Sequence, residues 1–143
     1  MIRKIDDNFY ASPQIGPAEI AEAARLGIGT IVNNRPDGED PSAPQGAEIE
    51  AAAREAGLDY VAIPVTHAGI SHPQIDLLAE VLANAAMPVL GYCRSGTRST
   101  FLWSLAEAKA GRSPDDLATH AREAGYDIAP IRAMVDALAT DKG

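Results

Sequence analysis

Apolar residues along this chain fall into two kinds of run that take turns. Ile28 to Val32, "DYVAIPV" and "MPVLGYC" are short, nearly unbroken and rich in β-branched and aromatic residues, which predicts buried strands. "NFYASPQ" is a further strand candidate. Between these runs the apolar positions recur at helical spacing. "GPAEIAEAARLG" aligns Ile20, Ala23 and Ala24, has Pro17 in its first turn where a missing N–H costs nothing, and stops at Gly27. "AEIEAAAREAG" stops at Gly57. "SHPQIDLLAEVLANA" opens with Ser71 and Gln74 at capping-box spacing and repeats apolar residues at Ile75, Leu78, Ala79 and Leu82. "STFLWSLAEAKAG" predicts the helix after the last strand. "SPDDLATHAREAGYDIAPIRAMVDALAT" predicts two more, split at Gly125, Tyr126 and Asp127.

Buried strands alternating with helices predict an α/β fold with three layers: a mainly parallel central sheet and helices on both faces. No repeat, linker or low-complexity stretch interrupts the 143 residues, so residues 1–143 are expected to form one domain. The formal net charge of -8 argues against nucleic acid or an anionic membrane as main partner. No window approaches the ~18 apolar residues of a membrane span. In "MIRKIDDNFY" the residues Asp6, Asp7 and Asn8 stand where a signal peptide would be apolar. A single cysteine cannot close an internal disulfide, so the cytoplasm is the expected compartment.

That cysteine changes the picture. Cys93 follows the strand run Val89 to Tyr92, in "PVLGYCRSGTRST", and so falls at the carboxyl end of a parallel strand, where such sheets carry their sites. The next helix offers free N–H groups and the positive end of its dipole, a setting that favours a thiolate or a bound anion. Arg94 and Arg98 add charge to a helix start that disfavours cations by roughly 0.3–1 kcal/mol each. No acidic residue between Leu90 and Ala106 offsets them. A bound anion would explain the cost. The plain alternative is a buried thiol among arginines that pair with distant acids.

The loop Cys93-Arg94-Ser95-Gly96-Thr97-Arg98 has the C-R-x-G-x-R form of rhodanese sulfurtransferases, while its setting between strand and helix is similar to the C-x5-R-[ST] loop of tyrosine and dual-specificity phosphatases. Taken in order, "NNRPDGE", "IPV" and "CRSGTRS" resemble the phosphatase-like domain of the beta-lactamase-hydrolase-like proteins, over roughly residues 1–110. The resemblance implies a protein-tyrosine-phosphatase-like fold, with Cys93 as nucleophile and Arg98 as anion clamp. It implies an anion-binding loop in which the amides of Arg94, Ser95, Gly96, Thr97 and Arg98 form a cradle and Ser99 hydrogen-bonds the sulfur. Family members tied to persulfide metabolism suggest a persulfide dioxygenase as partner.

Two departures from the phosphatases point towards sulfur transfer. Tyr92 stands where they carry a histidine, and "IPVTHAG" has His67 in place of their general-acid aspartate, a loss of typically 10²–10⁴ in rate for a poor leaving group. The loop is also one residue shorter, which narrows the cradle. The expectation is therefore a sulfurtransferase that forms a persulfide on Cys93, takes sulfur from a small sulfur-containing anion or persulfide donor and passes it to a thiol acceptor. The alternatives are a phosphatase acting through cysteinyl phosphate and a non-enzymatic anion-binding module.

Arg35, Asp37 and His67 are possible pocket residues, with Asp37 or Glu39 as acid; otherwise "NNRPDGED" is a solvated turn. His67 and His72 are too loosely spaced for a metal site, so neither metal nor cofactor is expected. His72 and His120 are expected to face water. Phe101, Leu102, Trp103 and Leu105 are expected to pack in the core.

Overall fold

The structure, a computed structural model, describes residues 1–66 and 68–141. Five strands form one sheet in the order β1-β2-β5-β3-β4: β1 (Arg3–Lys4), β2 (Phe9–Ser12), β3 (Thr30–Asn33), β4 (Asp59–Ala62) and β5 (Val89–Tyr92). Four of them run parallel, and only the short β1 is antiparallel, on the β2 edge. The helices are α1 (Pro17–Arg25), α2 (Gly46–Glu55), α3 (His72–Asn84), α4 (Thr97–Lys109), α5 (Pro114–Glu123) and α6 (Arg132–Asp141), with a 3₁₀ turn at Ala129–Ile131. The expected three-layer α/β fold is present.

Alternation along the strands divides the core. Ile31, Leu90 and Tyr92 face α1 and α2, where they meet Ile20, Ile49 and Ala53. Phe9, Ala11, Val32 and Val89 face the other side and meet Leu78, Leu102 and Trp103. The Phe9 and Trp103 rings lie 6.0 Å apart at 13°, one across the sheet–helix contact. Helix α4 is buried along most of its length because α3, α5 and α6 all pack on it. Ser99, Thr100 and Ser104 are buried along with its apolar residues, so α4 is the core helix of that layer by its packing and not by its composition. Trp103, Leu102 and Leu105 are buried as expected and Phe101 is half-buried.

Element boundaries moved where side chains and turns compete with the apolar pattern. The third strand begins at Thr30, not Ile28, because the Ile28 N–H still bonds Ala23 O in the turn that ends α1. β4 stops at Ala62, short of Pro64, although the Ile63 and Val65 N–H groups still reach Asn33 O and Asn34 O. Helix α4 starts at Thr97, two residues early, because Gly96 turns the chain with φ at +93°. His120 is half-buried rather than facing water, with Nδ1 3.1 Å from Ile5 O. His72 is exposed at the start of α3, as expected.

Candidate active site

Every loop leaving the carboxyl ends of β2, β3 and β5 converges on Cys93. The two asparagines of "NNRPDGE" are structural. Asn33 Oδ1 accepts the Arg35 N–H at 2.8 Å in a local side-chain turn, and Asn33 Nδ2 donates to the Tyr60 hydroxyl at 2.9 Å. Asn34 is buried and donates to Ile63 O at 2.8 Å, while its own N–H bonds Tyr92 O. These bonds fix the β3 exit beside both β5 and the Ile63–Val65 segment. On the other flank the Cys93 N–H bonds Ser12 O, and the Gln14 N–H bonds Arg94 O.

Cys93 is fully buried, and its Sγ accepts the Gly96 N–H at 3.1 Å. Close approach of α4 to β5 makes this possible: a Cβ on Gly91 would lie 2.8 Å from Phe9 Cζ and 3.2 Å from Ser99 Cβ. Arg94 and Ser95 are exposed, whereas Gly96 is buried. The Thr97 N–H turns to Ser95 Oγ at 3.3 Å. Ser99 Oγ is buried and makes no hydrogen bond, so the expected bond to the sulfur is not formed. A buried hydroxyl left unpaired costs about 1–3 kcal/mol, a cost that functional sites characteristically carry.

Arg98 is held in three places. Its Nη1 and Nη2 reach Glu39 at 2.9 and 2.7 Å, and Nη1 also donates to Val65 O at 2.7 Å. Glu39 is shared, because Arg35 Nε reaches Glu39 Oε1 at 2.9 Å and Arg35 Nη1 donates to Gln14 Oε1 at 3.0 Å. The hydrogen bond from Arg98, assisted by Arg35 and opposed by burial, lowers the Glu39 pKa to about 2. The same bond raises the Arg98 pKa against the effect of burial, with Cys93 adding a smaller upward push. Arg98 is thereby fixed to Glu39 and to the segment after β4. The distant acid foreseen as the plain alternative does exist, but it serves two arginines at once.

The remaining expected residues separate. Arg35 joins the site through Glu39. Asp37 Oδ1 accepts the Gly46 N–H at 2.8 Å, and the residue lines a small cleft with Asn33, Gly46 and Tyr92. The pairing that depresses Glu39 favours its ionised form, the form that holds Arg98 and Arg35. His67 lies outside the described residues. Among those residues no group of three or more His, Cys, Asp or Glu is arranged to hold a metal ion. Tyr92, in the place of a histidine, packs with Leu90 in the α1–α2 layer, and burial drives its hydroxyl pKa far up. Sequence reasoning missed Gln14, which strand-end position could have signalled, and Tyr126, whose hydroxyl donates to Ser95 O at 3.2 Å.

Residues 1–110 match the beta-lactamase hydrolase-like protein, phosphatase-like domain, family. The chain belongs to that family. A beta-lactamase hydrolase-like protein of Xylella fastidiosa is 35% identical over 125 residues, which are 87% of this chain and 29% of that protein, so the chain spans under a third of such relatives. A candidate phosphatase from Neisseria meningitidis superposes with a TM-score of 0.84 at 36% identity, covering 96% of this chain and 97% of its own. TpbA of P. aeruginosa, solved in complex with phosphotyrosine, shares the fold at 16% identity with a TM-score of 0.69, covering 99% of this chain and 89% of its own.

These relatives overturn the expectation of a sulfurtransferase. The family is phosphatase-like, and the Neisseria structure at 36% identity is a candidate phosphatase, which makes hydrolase chemistry the supported class. The shortened loop does not decide against a phosphatase. It forms a strand-to-helix turn that puts the Gly96 N–H on Cys93 Sγ, and the β3 loop supplies Glu39 to hold Arg98. No helix among the described residues is long and apolar enough to cross a membrane.

Proposed function

We propose that the chain is a cysteine-dependent phosphatase acting on phosphate monoesters through a cysteinyl-phosphate intermediate. The observation that carries it is the Gly96 N–H on the buried Cys93 sulfur, in a loop whose Arg98 is held by Glu39 and Val65 O. The Cys93 thiolate attacks phosphorus, and an S–P bond forms as the ester P–O bond breaks. Water then attacks phosphorus, the S–P bond breaks, and inorganic phosphate leaves with the thiolate restored. Loop amides and the Arg98 guanidinium take up the charge that develops on the non-bridging oxygens. Glu39 serves as the group that orients Arg98 and Arg35.

With Glu39 ionised and Asp37 turned to Gly46, the best substrates are those whose leaving oxygen needs little protonation. Aryl phosphates, phosphotyrosine among them, meet that condition. TpbA's phosphotyrosine complex supports the same class by analogy of fold. Acid quench during turnover of p-nitrophenyl phosphate, followed by mass spectrometry, is the test. A phosphoryl adduct on the peptide carrying Cys93 is expected; hydrolysis without any such adduct, or no hydrolysis, overturns the reading.

A further inference from the structure

The Gly96 N–H that reaches Cys93 Sγ belongs to the peptide unit joining Ser95 and Gly96. In a trans peptide the C=O and N–H of one unit point in opposite directions. The carbonyl of this same unit, Ser95 O, accepts the Tyr126 hydroxyl at 3.2 Å, while its N–H donates to the sulfur at 3.1 Å. One peptide plane is thus gripped from both sides. Nothing else among the described hydrogen bonds engages that carbonyl. Were the plane to rotate, its oxygen would swing towards the sulfur and repel the thiolate that the N–H now stabilises.

Tyr126 is built to hold that plane. It follows α5, and its N–H bonds Ala121 O. Arg3 lies over its ring at 5.8 Å and donates to Ala124 O at 2.8 Å, so the edge strand β1 backs the tyrosine. The ring packs directly on the loop: a Cβ on Gly96 would lie 2.2 Å from Tyr126 Oη and 2.9 Å from its Cζ. Gly96 is therefore required twice, for its left-handed φ and for this contact. Burial raises the Tyr126 pKa, with Arg3 opposing and Cys93 adding to the rise, so the hydroxyl keeps its proton and remains a donor. Donation to a carbonyl also polarises the attached N–H and strengthens the bond it makes.

We propose that Tyr126 is a positioning residue for the nucleophile, holding the Ser95–Gly96 peptide so that its N–H stays on Cys93. The residue lies beyond the 1–110 stretch that matches the family, so the α5–α6 region contributes to the site as well as to the core. The proposal rests on Cys93 being the nucleophile of a phosphatase. Its test separates the two ideas.

Tyr126→Phe keeps the ring, the Arg3 contact and the packing on Gly96, and removes only the hydroxyl. Three quantities are measured at neutral pH on the full chain. These are the rate of Cys93 alkylation by iodoacetamide, the single-turnover rate of phosphoenzyme formation from p-nitrophenyl phosphate, and the calorimetric Kd for inorganic phosphate. Alkylation and phosphoryl transfer should fall together by about 3- to 10-fold, the worth of one ordinary hydrogen bond. The phosphate Kd should stay within about twofold, because the Gly96 N–H is committed to sulfur and not to the anion. Unchanged or faster alkylation overturns the proposal, and so does a loss confined to phosphate affinity or to melting temperature. If the wild type forms no phosphoenzyme but Tyr126→Phe still slows alkylation, the positioning role stands and the phosphatase reading falls.

Discussion

Two arginines of this chain look alike in sequence and do opposite work. Arg112, just after α4, is surrounded by acids: Asp6 and Glu107 at 2.7 Å and Asp116 at 3.0 Å, with the Trp103 ring 5.5 Å beneath. Three carboxylates meet one guanidinium, and the result ties α5 and the β1–β2 turn to the core helix. Burial opposes the charge on Arg112, but the hydrogen bonds it donates to Glu107, Asp6 and Asp116 outweigh that and raise its pKa. Around Cys93 the ratio is inverted. Arg98 and Arg35 share Glu39, with Asp40 reaching Arg35 only at 3.8 Å, and the exposed Arg94 adds a further cation. A structural tie over-neutralises its cation. A site for an anion keeps cations in excess and uses a carboxylate only to aim them.

The largest break in that comparison is at the sulfur the excess charge serves. Cys93→Ser should lower kcat/KM for p-nitrophenyl phosphate by at least about 10⁴-fold, since a neutral hydroxyl replaces a thiolate nucleophile. Thermal unfolding should show a change of only a few degrees. Equal losses of activity and stability would mean that the thiol is core packing.

Arg98→Lys should come next, with kcat/KM lower by about 10²-fold, because an ammonium cannot make the paired, parallel bonds of a guanidinium. Arg112→Met is its mirror image. It leaves three carboxylates facing one another and should cost about 1–3 kcal/mol in denaturant unfolding, with activity per folded molecule unchanged. If the two variants exchanged these effects, the reading of both clusters would be reversed.

Glu39→Gln should be milder, about 10-fold in kcat/KM, since Arg98 keeps its bond to Val65 O but loses the carboxylate that aims it. This variant also carries a pH signature. The Glu39 pKa is depressed from an ordinary 4.5 to about 2, so the ionised side chain stabilises the fold above about pH 4.5, and that contribution is lost as pH falls through 2. The stability difference between wild type and Glu39→Gln should accordingly shrink across that window. A difference independent of pH would show that the carboxylate charge is not what holds the arginines.

The smallest effect is expected at Arg94→Lys. Its side chain is exposed, so the charge is screened and either cation serves, and kcat/KM should change by no more than about threefold. A loss as large as that of Arg98→Lys would move the clamp to Arg94.

Much of this protein was legible in its sequence. Strand runs and helical spacing specify the layers, because burial on one face or two is a local property of each segment. The cluster of Cys93, Gly96, Arg98 and Ser99 is contiguous, so its chemistry could be read before its geometry. Contacts across the chain were not legible. Glu39 and Arg98 stand 59 residues apart, and their pairing depends on β3 and β5 lying side by side, which long-range strand order alone decides. Tyr126 gave no signal, since a tyrosine after a helix-ending glycine reads as a turn. Only packing of the α5–α6 region against α4, with β1 behind it, brings that hydroxyl 3.2 Å from Ser95 O. Local chemistry is written in neighbouring residues, whereas the charge balance and the clamp on a single peptide come from segments that meet only when the chain is folded.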